Sequence, residues 1–398
     1  MKVEIISKSL GRICDVRDGT HDSPKYVENG FYLLTSKNFS SGKISYEGAN
    51  KISIEDYNAI NKRSKVDIGD IVMPMIGTIG SPVIISQEPN FAIKNVALIK
   101  SNQNICMNYI CAFLASSFFE RAIKSSKRGG TQKFVSLGDI RNLQIPLPPI
   151  AEQKRIAVIL DRTQSLISKR KEAIAKLDTL TQSIFIEMFG DTETNPHGWD
   201  IQAISNYVAQ FQGGKSIESE SGENTITKNR ILKVSAVTKM VFLPEESKPL
   251  SDDYEPAPEH FVRNGDLLFS RANTTELVGA VAYVKETPSN ILLPDKLWRF
   301  VWKQPAKVLP LFVWSLFQTS VMRREIGKRA TGTSGSMKNI SQEKLLGIKT
   351  IVPPLPLQKE FAQRVEAVEK LKATHRASLS ELQALFASLQ HRAFRGEL

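Results

Sequence analysis

Two long stretches of the chain place apolar residues at coiled-coil spacing, in the same register. In the first, Leu160, Ile167, Ile174, Thr181 and Met188 recur every seven residues, with Thr163, Arg170, Leu177 and Ile184 three residues after the first four. In the second, Val365, Lys372, Leu379, Phe386 and Ala393 take the first set of positions, and Val368, His375, Leu382 and Leu389 the second. Such an a/d seam over about four heptads predicts helices that wind around each other. Each helix would run to about 39 residues, roughly 58 Å, too long to lie on one small domain. Mutual pairing is therefore favoured over two amphipathic helices packed on separate cores. The polar members of the seam, Thr163 and Arg170 in one helix and Lys372 and His375 in the other, are part of that pattern.

The helices also open alike. Pro146-Leu147-Pro148-Pro149-Ile150-Ala151-Glu152-Gln153 leads into the first, and Pro353-Pro354-Leu355-Pro356-Leu357-Gln358 into the second, about 205 residues later. Proline lacks a ladder donor but is tolerated in a first helical turn, so each lead-in ends a strand and starts a helix. A period this long excludes a solenoid and indicates a duplicated half. The predicted organisation is a variable region over 1–145, a helix over 146–190, a second variable region over 191–352 and a second helix over 353–398.

Within the first variable region, strands are predicted at Phe31–Thr35, Asp70–Met75 (after the turn residue Gly69), Pro82–Ile85, Asn95–Ile99 and Leu143–Ile145, with turn chemistry at Glu88-Pro89-Asn90. A helix is predicted over Met107–Lys127, then a polar loop at Lys127–Lys133. The second region repeats the order with different side chains. Gly213-Gly214-Lys215-Ser216 stands where Gly19-Thr20-His21 stood, Val262–Leu268 matches Val66–Val72, and Gly332–Lys338 matches the polar loop ending at Lys133. The fold class is thus mixed α/β, in two domains with twisted mixed sheets. The two halves differ at loop tips, where recognition usually resides.

Composition narrows the partner. The chain has 398 residues, 41% of them hydrophobic, which suffices for two to three domains with real cores. Its net charge of +12 points to a polyanion, either nucleic acid or an anionic membrane surface. Three cysteines, Cys14, Cys106 and Cys111, show no framework spacing. With no apolar leader after Met1-Lys2-Val3-Glu4, they indicate a reducing cytoplasm. The most apolar run, Leu311–Phe317, is too short to cross a bilayer.

Catalytic motifs are not found. Gly213-Gly214-Lys215-Ser216 invites a phosphate-loop reading, but the glycine required five residues before Gly214 is Ala209. The five histidines, His21, His197, His260, His375 and His391, are scattered, and no Cys or His pair has zinc spacing. Glu245-Glu246-Ser247-Lys248 reads better as a solvated turn than as a nuclease motif. No Asn-Pro-Pro-aromatic stretch of the amino-methyltransferase kind occurs.

Together the paired helix starts at 146–153 and 353–358, the Met188-Phe189-Gly190-Asp191 ending with Asn195-Pro196-His197-Gly198-Trp199 behind it, the two Gly-Asp strands and the terminal Ala393–Leu398 resemble the specificity subunit of a type I restriction-modification enzyme. The resemblance covers essentially the whole chain and rests on the order and duplication of motifs that are individually weak. It implies two target recognition domains joined by an antiparallel coiled coil with pseudo-twofold symmetry, each domain reading one half of a split double-stranded DNA target. It also implies two modification subunits on the helices, carrying S-adenosylmethionine for adenine methylation, and restriction subunits using ATP and magnesium. This chain would hold no cofactor or metal and do no chemistry. A self-contained methyltransferase or nuclease, and a coiled-coil scaffold with no DNA role, are the alternatives.

A basic surface supplies the sequence-independent phosphate attraction, and loop side chains reaching base edges supply specificity. Arg and Lys suit guanine or phosphate, Gln suits adenine, and Gly lets the backbone approach. The favoured DNA contacts are Lys124, Lys127, Arg128, Gly129, Gly130, Thr131, Gln132 and Lys133 in one half. In the other they are Lys328, Arg329, Thr331, Thr333, Ser334, Gly335, Ser336 and Lys338. Secondary candidates are His21, Ser36 and Lys37, with Lys215, Lys233, Arg271 and Asn273 in the second half.

Overall fold

A computed structural model describes residues 6–40, 42–75, 81–125, 135–217, 227–334 and 337–398, except the side chains of 124–125 and 333–334. The chain forms two compact units, Met1–Glu172 with Arg376–Leu398, and Ala173–His375.

In the first unit, Ile6–Ser9 pairs antiparallel with Gln144–Leu147. An antiparallel sheet runs in the order Val16–Asp18, Val96–Ile99, Ile71–Pro74, Val83–Ile84. A second sheet runs Phe91–Ile93, Phe31–Leu34, Asn50–Ile52, Tyr26–Val27, its first pair parallel. The second unit repeats this plan. Asp200–Ala203 pairs with Lys349–Val352. One sheet runs Val208–Gly213, Leu297–Trp302, Leu267–Ser270, Val281–Tyr283. Another runs Ser247–Pro249, Arg230–Leu232, Ile291–Leu292, again with one parallel pair. The sheets are therefore mixed, in a mixed α/β fold. The second unit also holds a sheet in the order Ala272–Asn273, Met337–Asn339, Thr331–Ser334, whose counterpart segments in the first unit fall largely outside the described residues.

A strand forms in each predicted segment, the last running on to Leu147, while Ile6–Ser9, Val16–Asp18, Tyr26–Val27, Asn50–Ile52 and Phe91–Ile93 were not predicted. The predicted helix over Met107–Lys127 is two, Met107–Leu114 and Ser117–Ser125. At the break, the buried Ser116 hydroxyl donates to the Phe113 carbonyl at 2.6 Å. Serine competes in this way with the helical ladder.

The matched Gly-Asp turns have matched physics. Gly69 and Gly265 both take φ of +88°, a conformation that costs glycine little. The next residue turns back: Asp70 Oδ2 accepts from the Asp67 N–H at 2.8 Å, and Asp266 Oδ2 from the Arg263 N–H at 2.7 Å. A cation from the adjacent strand region pairs with each carboxylate, Lys100 with Asp70 and Arg299 with Asp266. Burial raises the Asp266 pKa, and the Arg263 N–H and the Arg299 charge partly oppose it.

Gly19 and Gly214 are equivalent for a packing reason. A Cβ would lie 2.5 Å from the Ile93 carbonyl oxygen at Gly19, and 1.7 Å from that of Leu293 at Gly214. The glycine pair that suggested a phosphate loop thus lets two backbones cross. Gly214→Ala is expected to lower stability by about 3 kcal/mol, in the range for overpacking. Gly327→Ala, in a helix with open space around it, should be neutral or gain up to about 1 kcal/mol. Urea unfolding of both variants checks the contrast.

The long helices span Ile150–Phe189, 40 residues, and Leu355–Ala393, 39 residues. None of the predicted seam positions is exposed. In the first unit, Ile156, Ala157 and Leu160 share a core with Ala393 and Phe394. In the second, Ile184, Phe185 and Phe189 share one with Phe361, Val365 and Val368. Within each unit the beginning of one helix therefore meets the end of the other, so the pairing is antiparallel. The Lys372 ammonium, in the seam, is held by Asp178 at 2.8 Å and Glu369 at 2.7 Å. Because each helix end packs into its nearer core, the units divide inside the helices, away from the ends of 1–145 and 191–352.

A buried glutamine ties each helix start to its unit. Gln153 donates to the Pro148 carbonyl at 2.8 Å and accepts from the Cys106 N–H at 3.0 Å. Gln358 donates to the Pro353 carbonyl at 2.7 Å and accepts from the Leu309 N–H at 2.8 Å. Cys106 and Leu309 each cap the helix that follows the central strands. The lead-in prolines expose these carbonyls because the helical ladder cannot use them.

Candidate nucleic-acid interface

The predicted loop of Lys127, Arg128, Gly129, Gly130, Thr131, Gln132 and Lys133 lies outside the described residues, as does the Lys124 side chain. Its exit is fixed: the Val135 N–H donates to the Met75 carbonyl at 3.0 Å, at the end of strand Ile71–Pro74. In the second unit the Ile340 N–H donates to the Arg271 carbonyl at 3.1 Å, after strand Leu267–Ser270. Met75 and Arg271 each stand six residues after their turn glycine, so they are equivalent positions.

The second unit draws several predicted residues together. Asn273 sits opposite Lys338 in the three-stranded sheet, and Thr331 opposite Asn339. Lys338 Nζ donates to the Gly332 carbonyl at 3.1 Å. Thr333 and Ser334 belong to strand Thr331–Ser334, while Gly335 and Ser336 lie outside the described residues. Lys215 is exposed and bridges Pro294, next to Asp295, which holds Arg271. Lys328 and Arg329 both pair with Glu325, whose carboxyl is held below its ordinary pKa by the Arg329 hydrogen bond and then by that from Lys328. Lys233 belongs to another part of the unit, where its N–H donates to the Glu246 carbonyl.

In the first unit His21 is the centre of a cluster. Its Nδ1–H donates to Asn95 Oδ1 at 2.7 Å and its Nε2–H to Asp18 Oδ2 at 2.9 Å. Two acceptors suit the imidazolium, and the hydrogen bonds to Asn95, then Asp18, raise its pKa. Burial alone would raise the Asp18 pKa, but the His21 hydrogen bond and the Arg63 charge hold it below its ordinary value. Arg63 pairs with the other Asp18 oxygen, and the Ser36 hydroxyl donates to the Asn95 carbonyl at 3.2 Å. Lys37 is exposed beside Ser36. A cavity of about 430 Å³ opens beside His21 and Arg63, with Asp22, Asp56 and Ser64 in its wall.

Asp18, Arg63 and Asn95 were not among the predicted contacts. Arg63 reaches Asp18 across 45 positions of sequence, and no local pattern marks that approach. Asn95 had a signal in hindsight, since asparagine tolerates the left-handed φ of 56° that it adopts in a tight turn.

Among the described residues no group of three or more His, Cys, Asp and Glu is placed to hold a metal ion, and no helix is long and apolar enough to cross a membrane. Burial pushes the Cys14 and Cys111 thiols up to about 11, so both stay protonated near neutrality.

The comparisons with known proteins agree with this architecture. Residues 3–177 match the type I restriction modification DNA specificity domain. The chain is 24% identical to the type I restriction enzyme EcoKI specificity subunit of Escherichia coli K12, over 92% of this chain and 82% of that one. It is 25% identical to the MjaVIII specificity subunit of Methanocaldococcus jannaschii, over 78% of this chain and 75% of that one. The fold matches the crystal structure of a type I restriction-modification S subunit from M. genitalium with a TM-score of 0.58, at 13% identity, over 98% of this chain and 96% of that one. With a specificity-domain match over residues 3–177, relatives aligned along most of its length and the same fold, the chain is similar to the type I restriction-modification DNA specificity subunits.

Proposed function

We propose that this chain is the non-catalytic reader of a type I system, that each unit reads one half of a bipartite, asymmetric DNA target, and that the paired helices carry two modification subunits. The observation that supports this reading is one scaffold used twice with different chemistry at equivalent positions: Met75 in one unit stands where Arg271 stands in the other. Identical halves would read identical half-sites; these would read different ones. The net charge of +12 supplies the attraction to phosphate. S-adenosylmethionine then belongs to the modification subunits, and ATP and magnesium to restriction subunits where these join. The assembly works in the cytoplasm, where the chromosome is.

Co-purified with its modification subunit, the chain is expected to direct adenine methylation at one bipartite sequence, and the rigorously purified chain alone to methylate nothing. Duplex binding should weaken steeply as salt rises, because phosphate contacts release counterions. Methyl transfer by the chain alone would overturn the proposal.

A further inference from the structure

Arg271 is held more completely than a surface arginine needs to be. Its backbone is fixed on both sides, the N–H donating to the Lys296 carbonyl and the carbonyl accepting from the Ile340 N–H, each at 3.1 Å. Its Nε donates to the Asp295 carbonyl at 2.8 Å, and Nη2 lies 3.5 Å from the Asp295 carboxylate. The guanidinium sits 5.7 Å over the ring of Trp298, itself only 8% exposed. The Arg271 side chain nonetheless keeps 30% of its surface, and among the described residues Nη1 has no acceptor.

The guanidinium is thus anchored along its Nε–Nη2 edge and supported on one face, which leaves the Nη1–Nη2 end, with one parallel N–H from each nitrogen, for a ligand. The sequence-independent attraction to phosphate depends on charge near the DNA backbone and does not require a side chain anchored along one edge. A planar fork held against rotation suits the paired O6 and N7 acceptors of guanine, which are read by two parallel N–H bonds. Asn273 stands two residues on: its Oδ1 accepts from the Thr274 N–H at 2.8 Å, and its buried Nδ2 has no partner among the described residues. The nearby helix cations Lys328 and Arg329 are already paired with Glu325. The equivalent position of the first unit carries no fork, since Met75 stands there, buried at 5% exposure.

Resting on the reading of the chain as a DNA specificity subunit, we propose that Arg271 is the residue with which the second unit recognises a guanine in its half-site. Asp295 and Trp298 are positioning residues for it.

The test uses the complex of the full chain with its modification subunit on a randomised duplex library, with methylated sites sequenced. The wild type should require guanine at a position of one half-site that Arg271→Lys and Arg271→Gln release. Preference there should fall by roughly tenfold to a hundredfold, with the remaining positions and the other half-site unchanged. Asp295→Asn, which keeps the Arg271 charge but loosens its anchor, should weaken the same preference in part. The retained half-site shows that each variant is folded and assembled. Equal weakening on all sequences, with a shallower salt dependence, would make Arg271 a phosphate contact and overturn the assignment. So would an unchanged preference, or one altered in the other half-site. A wild-type complex with no sequence preference would overturn the underlying reading itself, a result distinguishable from the failure of Arg271 alone.

Discussion

Exchanging residues 192–352 for the equivalent segment of another specificity subunit is expected to replace one half-site completely and leave the other as it was. Each variable region has its own sheets and core, and the residues nominated for reading in the second half lie within that segment. The exchange must respect the helix side of the core. Phe312 packs against Phe185 and Phe189 from the first long helix, at ring distances of 5.7 and 5.0 Å. The Leu309 N–H must still find Gln358, since a buried donor left unpaired costs about 1–3 kcal/mol. Donor segments with an aromatic residue at the position of Phe312 should therefore assemble best. Mapping methylated adenines reads the result, and a change in both half-sites would show that the units do not read independently.

Lengthening the helices should alter the target in a different way. Seven residues inserted after Ser168 keep the heptad phase of the first helix. Asp178 faces Lys372 at 2.8 Å; counting ten residues from that pair sets Ser168 level with Leu382, where the matching insertion belongs. Each helix gains about 10 Å at 1.5 Å per residue, roughly three base pairs of B-DNA at 3.4 Å each. The gap between half-sites should grow by about that number, while the half-sites keep their sequences because no reading residue is touched. Activity should fall, since three base pairs also turn the DNA by about 100°. Full activity with an unchanged gap would remove the helices as the measure of spacing.

Parts of this architecture were legible in the sequence because their cause is local or periodic. The seam positions from Leu160 to Met188 are all shielded, since a seven-residue repeat allows only one face to be covered. Gly69 and Gly265 were legible as turns because the left-handed φ they adopt is costly for other residues. The break at Ser116 was hidden, because an apolar helical pattern on both sides of a serine looks continuous. The reading side chains were harder still. Arg271 was one basic residue among many until Asp295 and Trp298, 24 and 27 positions later, were seen to hold it. The glycine-rich segment around Gly214 resembled a ligand loop because both uses of glycine, close approach to a phosphate and close approach to a carbonyl, leave the same trace in sequence.

The divided first unit has a consequence for biosynthesis. Its core needs Ala393 and Phe394 against Leu160 and Tyr109, so it cannot close until the second long helix has been translated. At about 5–20 residues per second, the ribosome needs roughly 10–40 s to travel from the end of the first helix to residue 376. For that time the first helix has an apolar stripe and no mate within its own chain. The second unit, which is continuous in sequence from Ala173 to His375, can close before the unit that precedes it. The nascent chain thus matures out of order, and the interval is when a chaperone or another nascent copy has access to the bare stripe.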